Sequence, residues 1–291
     1  MTAHQPRRSA LYMPGSNPRA LEKAKSVTAD VVVMDLEDAV APDLKATARV
    51  QVLGAVAAGG FGRRQVVIRT NGLDTPWGLE DLKSAATSSA NAVLIPKVSS
   101  AAMLADVERV LAGARADLRV WAMIETPLGV LNAHEIAAAS QAPSSRLSCF
   151  VIGTNDLVKE TRAELDDNRT AALYWLSAIL TAAKAYDLTV LDGVYNDFKD
   201  LNGLLRECRQ GRQLGMDGKT VIHPDQIATV NAVFRPSPQE IAAAKRIIAA
   251  FDLPENQGRG VITMDGRMVE LLHAAMARRT VEIDQSIGAD N

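Results

Sequence analysis

The chain has 291 residues, a formal net charge of -2 and 47% hydrophobic residues. That length fills an α/β barrel core and leaves residues for an appendage, while the near-neutral charge gives no drive toward nucleic acid or an anionic membrane. No apolar run reaches the roughly 18 residues of a spanning helix, Met1 to Arg8 lacks a signal peptide's apolar stretch, and Cys149 and Cys208 show no disulfide or zinc spacing, so a reducing cytoplasm is the expected compartment.

In chain order, eight short apolar runs end on polar or charged residues. They are SALY (9–12), VVVMD (31–35), VVIR (66–69), AVLIPK (92–97), VWAMIE (120–125), CFVIG (149–153), LTVLD (188–192) and TVIH (220–223). Continuous β-branched and apolar runs suit strands buried on both faces of a parallel sheet. Stretches rich in Ala, Leu, Glu, Lys and Arg between them read as helices. Eight such units predict a (β/α)8 TIM barrel over residues 1–235. Thr75-Pro76 offers a helix cap followed by proline at the first helical position. Ser237-Pro238-Gln239-Glu240 reads as a capping box opening a helix over 241–251. Residues 252–260 read as a loop, 261–269 as a hairpin about Asp265-Gly266, and 270–280 as a last helix with a fraying end. The predicted second segment, 236–291, is a lid over its own or a neighbour's site.

In a barrel of this kind the active site lies where the strands end. Asp35, Arg69, Lys97, Glu125, Asp192 and His223 occupy those ends. Asp35, Glu37 and Asp38 cluster in MDLEDAV, and Asp156 follows the sixth run in GTNDL. Carboxylates converging on one mouth repel one another unless a cation sits among them. Oxygen ligands without paired His or Cys favour Mg²⁺ over zinc; the alternative is that each acid only caps a helix. Arg69 can hold a carboxylate bidentately or stabilise an oxyanion, or act as a structural partner of an acid. Lys97 invites a Schiff-base role, against which its acidic neighbours would keep it protonated. The turn Pro14-Gly15-Ser16-Asn17-Pro18, with Arg19, Lys23 and Lys25 after it, has the makings of a phosphate site or of an ordinary turn. His223 reads as a structural hydrogen-bonding residue. No nucleophile elbow, P-loop or dinucleotide fingerprint is present.

The segments RRSALYMPGSNP, DVVVMDLEDAVAP, IRTNGLDTPWG, LIPKV, IETPLGV, GTNDL, LDGVYNDFKD, GMDGKTVIHPDQI and MDGRMVE, in this order, resemble the citrate lyase β-subunit and malyl-CoA lyase group of the HpcH/HpaI aldolases. The resemblance implies Glu125 and Asp156 as Mg²⁺ ligands, and Glu37 and Asp38 as acids holding metal-bound water. It implies Arg69 at the thioester or enolate oxygen, and Tyr12, Lys23, Pro96 and Lys97 near coenzyme A. It also implies a homotrimer or homohexamer in which the C-terminal segment closes over a neighbour. Members commonly carry an acidic pair or an Ala-Asp step where this chain has Asn155-Asp156, and a lid aspartate where it has Glu270. A glutamate reaches one methylene further, which alters the geometry of proton transfer. The expected reaction is reversible cleavage of a β-hydroxyacyl-CoA, such as malyl-CoA or citramalyl-CoA, into an acyl-CoA and a 2-oxo acid. The alternatives are a citrate lyase β subunit working with partner subunits on an acyl-carrier-protein thioester, an acyl-CoA thioesterase, and a non-catalytic CoA binder.

Overall fold

A computed structural model of the chain describes residues 5–288. Eight parallel strands close into a barrel in chain order. They are β1 (Ser9–Pro14), β2 (Val31–Asp35), β3 (Gln65–Arg69), β4 (Ala92–Ile95), β5 (Arg119–Ile124), β6 (Leu147–Ile152), β7 (Thr189–Asp192) and β8 (Gly218–Val221), with helices between successive strands. β1 pairs with both β2 and β8, so no edge strand remains. Each apolar run of the sequence falls on one of these strands.

The barrel interior is filled by alternate residues, as period-two side-chain geometry requires. Ala10, Val31, Val33, Val67, Ala92, Leu94, Trp121, Met123, Cys149, Val151 and Leu191 form one core, with Tyr12 packed against it. At the N-terminal end the Arg7 guanidinium lies 4.9 Å from the Trp121 ring centroid. It donates to Gln65 Oε1 at 2.8 Å and Thr189 Oγ1 at 3.0 Å. The same alternation continued toward the C-terminal end brings Asp35, Arg69 and Glu125 inward.

Alternation also explains a departure from the sequence reading. Asp192 ends β7 but has the opposite parity to Leu191, so it faces the helix layer. There it meets Arg169 Nη1 at 2.8 and 3.0 Å and Lys219 Nζ at 3.4 Å. Lys219 also contacts Glu207 and the Gly193 carbonyl. Asp192 and Lys219 are fully buried, and the cluster balances two cations against two carboxylates. His223 caps the turn Pro224–Gln226 and stacks on Phe198 at 4.6 Å between ring centroids. The Thr75 hydroxyl makes the cap-like bond the sequence suggested, accepting from Gly78 N at 3.2 Å, and also donates to Gly72 O at 2.6 Å. The helix starts at Gly78, where a Cβ would collide with the Gly72 carbonyl.

The chain divides into two compact units, residues 7–231 and a second unit that contains residues 232–288. In the second, Ser237 and Glu240 form the capping box of helix Pro238–Asp252. Strands β9 (Val261–Met264) and β10 (Arg267–Glu270) pair antiparallel about Asp265 and Gly266, both at positive φ. Phe251, Ile262, Val269 and Ala274 make its small core. The last helix, Leu271–Gly288, runs past the expected fray. Ala277 and Ile287 stay buried on it, and Asp284 meets Arg235 at 3.1 Å. Among the described residues no helix is long and apolar enough to cross a membrane.

Removing one partner of a buried ion cluster leaves an uncompensated charge. Lys219→Ala is expected to lower the unfolding free energy by about 3–5 kcal/mol, read by urea denaturation. A loss below about 1 kcal/mol would mean the cluster carries no net stability.

Candidate active site

Asp35 and Arg69 are register partners at the ends of β2 and β3. Arg69 Nε donates to Asp35 Oδ1 at 2.6 Å and Nη2 to Oδ2 at 2.7 Å, a two-pronged fork. The Asp35 carboxylate also accepts from Glu37 N at 2.9 Å and Ala39 N at 3.1 Å, which folds MDLEDAV around it. Lys45 Nζ ties the same turn down through the Leu36 and Glu37 carbonyls at 2.9 and 2.7 Å. Arg69 Nη1 lies 2.8 Å from Glu37 Oε2 and 3.2 Å from Asp38 Oδ2. Below it, the Tyr12 ring centroid is 4.8 Å from the guanidinium carbon. Burial works against the Arg69 charge, but Asp35 outweighs it and keeps the guanidinium protonated.

Glu125 follows β5 and is 1% exposed. Its Oε1 accepts from Lys97 N at 2.8 Å, a backbone donor presented by the left-handed turn at Lys97, φ 54°. Gly153 lies alongside, and a Cβ there would collide with the Glu125 carboxyl. Burial, then the charges of Glu37 and Asp156, push the Glu125 carboxyl up to about 8. Glu37 rises to about 7, chiefly through burial, which the nearby Arg69 only partly offsets and the Asp38 and Asp35 charges reinforce. Asp156, in the first turn of helix Thr154–Thr161, lies 3.5 Å from Lys97 Nζ. Burial disfavours the Lys97 charge, but Asp156, Glu37 and Glu125 together raise its pKa. A raised pKa favours the protonated amine, which is not the form that attacks a carbonyl, so the covalent role finds no support here.

These groups border a cavity of about 280 Å³. Tyr12, Asp35, Asp38, Arg69, Glu125 and Asp156 line it, as do Thr154, Asn155, Val194, Asn196, Thr220 and Ile222. Of these last six, the sequence points only to Asn155, as the neutral neighbour of Asp156. The signal for several was present, because they lie in GTNDL and LDGVYND. Glu37 touches the site through Arg69. Pro96 is buried at the end of β4, and Lys23 is exposed at the end of helix Pro18–Lys23; neither lines the cavity. Glu270 ends β10 in the second unit, where its N–H donates to His273 Nδ1 at 2.9 Å.

Among the described residues no group of three or more His, Cys, Asp or Glu side chains forms a complete metal cage. Mg²⁺ does not require one, because it binds through one or two carboxylates and keeps several waters. The donor set fits such an ion: burial first, and then its acidic neighbours, push the Glu125 carboxyl up, and a cation would oppose both effects.

A sequence model of the HpcH/HpaI aldolase/citrate lyase family matches residues 8–224. The chain belongs to that family. A relative in Cereibacter sphaeroides named (3S)-malyl-CoA thioesterase is 50% identical, covering 99% of this chain and 98% of its own. The citrate lyase subunit beta of Escherichia coli is 34% identical over 91% of this chain and 88% of its own. Within the family, a crystal structure of CitE from Mycobacterium tuberculosis, in complex with magnesium, acetoacetate and coenzyme A, superposes with a TM-score of 0.74. It is 32% identical and covers 94% of this chain and 97% of its own.

Glu37 and Glu125 bind protons more tightly folded than unfolded. Their contribution to stability is therefore full below about pH 4.5 and fades as pH rises toward 8. Without added divalent cation, the thermal midpoint of Glu125→Gln is expected to gain on that of the unsubstituted protein between pH 5 and pH 8.5. Parallel pH profiles for the two would show that Glu125 ionises like a solvated carboxylate.

Proposed function

We propose that this chain is an Mg²⁺-dependent enzyme acting on the CoA thioester of a short 3-hydroxy dicarboxylic acid, of the malyl-CoA type, and that it hydrolyses the thioester. The observation that carries the reading is the buried Glu125 carboxyl next to Asp156, in one cavity with the Arg69–Asp35 fork. Hydrolysis is favoured over carbon–carbon cleavage by the thioesterase relative, 50% identical across nearly the whole of both chains.

Glu125 and Asp156 would hold Mg²⁺, which supplies Lewis-acid polarisation to the substrate's acid end. Arg69 is fixed in advance by Asp35 and by the Tyr12 ring, so it donates to the thioester carbonyl oxygen without reorganising. Glu37, whose carboxyl burial pushes up, sits beside the site on Arg69 Nη1. In this reading it takes the proton of the attacking water. The water oxygen bonds to the carbonyl carbon, the carbon–sulfur bond breaks, and the proton passes to the departing thiolate. The products are free CoA and the hydroxy acid. Asp38 shares Arg69 Nη1 with Glu37 and keeps the second acid close.

The family match and the citrate lyase subunit beta relative favour carbon–carbon cleavage as a second reading. There Glu270, from the C-terminal hairpin of a neighbouring copy in a trimer or hexamer, takes the hydroxyl proton. The bond between the hydroxyl-bearing carbon and the thioester's α-carbon breaks, the 2-oxo acid leaves, Arg69 stabilises the acyl-CoA enolate, and the α-carbon takes the proton back from Glu270 to give the acyl-CoA.

The test is a malyl-CoA assay that records free CoA and 2-oxo acid separately, with Mg²⁺ and with chelator. Metal-dependent CoA release without 2-oxo acid is the expected result, and stoichiometric 2-oxo acid would support the second reading. No metal-dependent product in either channel contradicts both. Glu125→Gln is expected to reduce turnover on the order of a hundredfold or more while the protein stays folded.

A further inference from the structure

Asn155 and Asn196 form a reciprocal amide pair. Asn155 Nδ2 donates to Asn196 Oδ1 at 3.2 Å, and Asn196 Nδ2 donates to Asn155 Oδ1 at 2.8 Å. They come from different elements: Asn155 is the second residue of helix Thr154–Thr161, and Asn196 lies in the loop after β7. Both are solvent-accessible and both line the cavity beside Asp156.

The loop that carries Asn196 is pinned on both sides. Lys219 of the buried ion cluster holds the Gly193 carbonyl, and Gln226 Nε2 donates to the Tyr195 carbonyl at 2.9 Å. The Gln226 carbonyl oxygen in turn accepts from the backbone of Ile222 and His223. The amide pair therefore stands on a fixed wall.

A primary carboxamide has two N–H groups and one carbonyl oxygen. Pairing consumes one N–H from each side chain, so each keeps a second. The charged side chains lining the cavity are four carboxylates, Asp35, Asp38, Glu125 and Asp156, against one cation, Arg69. Of the five Arg69 N–H groups, four face Asp35, Glu37 and Asp38, and the remaining Nη2 N–H is the one the proposed reaction gives to the thioester oxygen. An anionic group entering this cavity needs donors that bring no further negative charge, and the spare amide N–H groups supply them.

We infer that the Asn155–Asn196 pair is a specificity element that hydrogen-bonds the free carboxylate of the substrate and selects dicarboxylic over monocarboxylic 3-hydroxyacyl-CoA thioesters. The inference rests on the substrate class proposed above. Neither residue takes part in bond making; each recognises the group next to the reacting centre.

The test compares malyl-CoA with 3-hydroxybutyryl-CoA, which keeps the thioester and hydroxyl but lacks the carboxylate. The Kd of each is measured by calorimetry with saturating Mg²⁺, and kcat/KM for malyl-CoA alongside. Asn196→Ala is expected to weaken malyl-CoA binding about tenfold and leave 3-hydroxybutyryl-CoA within about twofold. Asn155→Ala should do the same. The double variant should cost little more than either single one, because both break one pair. Asn196→Asp is decisive. Its carboxylate still accepts from Asn155 Nδ2 and preserves the wall, but it repels the substrate carboxylate. It should therefore be worse than Asn196→Ala for malyl-CoA. If Asn196→Asp restores malyl-CoA binding relative to Asn196→Ala, or if the variants weaken both thioesters equally, the pair is only a strut and the inference fails. If the unsubstituted protein binds neither thioester, the substrate reading itself falls, an outcome visible before any variant is made.

Discussion

Arg69 meets Asp35 through two parallel hydrogen bonds at the C-terminal ends of β2 and β3, and the acidic mouth of the barrel depends on that contact. Three carboxylates, Asp35, Glu37 and Asp38, sit within four residues of one turn. Gathered beside a barrel interior without a cation, they would repel one another and lose hydration. One guanidinium, 5% exposed and stacked on Tyr12, reaches all three. Glu125 and Asp156 line the same cavity without touching that guanidinium; Lys97 serves them, its N–H on Glu125 and its ammonium 3.5 Å from Asp156.

The barrel buries a second set of charges, and the contrast separates structure from function. Arg169, Lys219, Asp192 and Glu207 lie behind β7 and β8 with equal numbers of each sign. Asp192 is held below the ordinary carboxylate range: burial opposes this, but Lys219 and Arg169 prevail. At the mouth the imbalance is acidic, and Glu125 and Glu37 are held above that range. A neutral, closed cluster has no unmet electrostatic demand, whereas an acidic, open one calls for a cation. Perturbed carboxyls of the second kind, in a cleft, are what an active site tuned for proton and metal chemistry contains.

The barrel was legible because a strand buried on both faces must be continuously apolar, and eight such runs recur in sequence. The site was legible only in part, because run ends do not reveal which way a side chain points. Counting from Val31 and Val33 puts Asp35 inside, and counting from Trp121 and Met123 puts Glu125 inside. The same count from Leu191 puts Asp192 outside, among the helices. Parity would have separated them once the interior set was known, and only the closed barrel fixes that set. The Asn155–Asn196 pair joins residues 41 apart through side chains alone, so no local periodicity betrays it. Thr75 and Pro76 were legible as a helix entry, since the Thr75 hydroxyl accepts from Gly78 N at the first residue of the regular helix.

On the proposed reading, Glu125 is a buried, protonated carboxyl in the free protein and would ionise on holding a divalent cation. Titration calorimetry of Mg²⁺ in buffers of different ionisation enthalpy counts the protons released on binding. Close to one proton is expected to be released at pH 7 and about none at pH 9.5, with the pH dependence abolished in Glu125→Gln. Mg²⁺ binding that releases no proton at pH 7, or binding unchanged in Glu125→Gln, would contradict it.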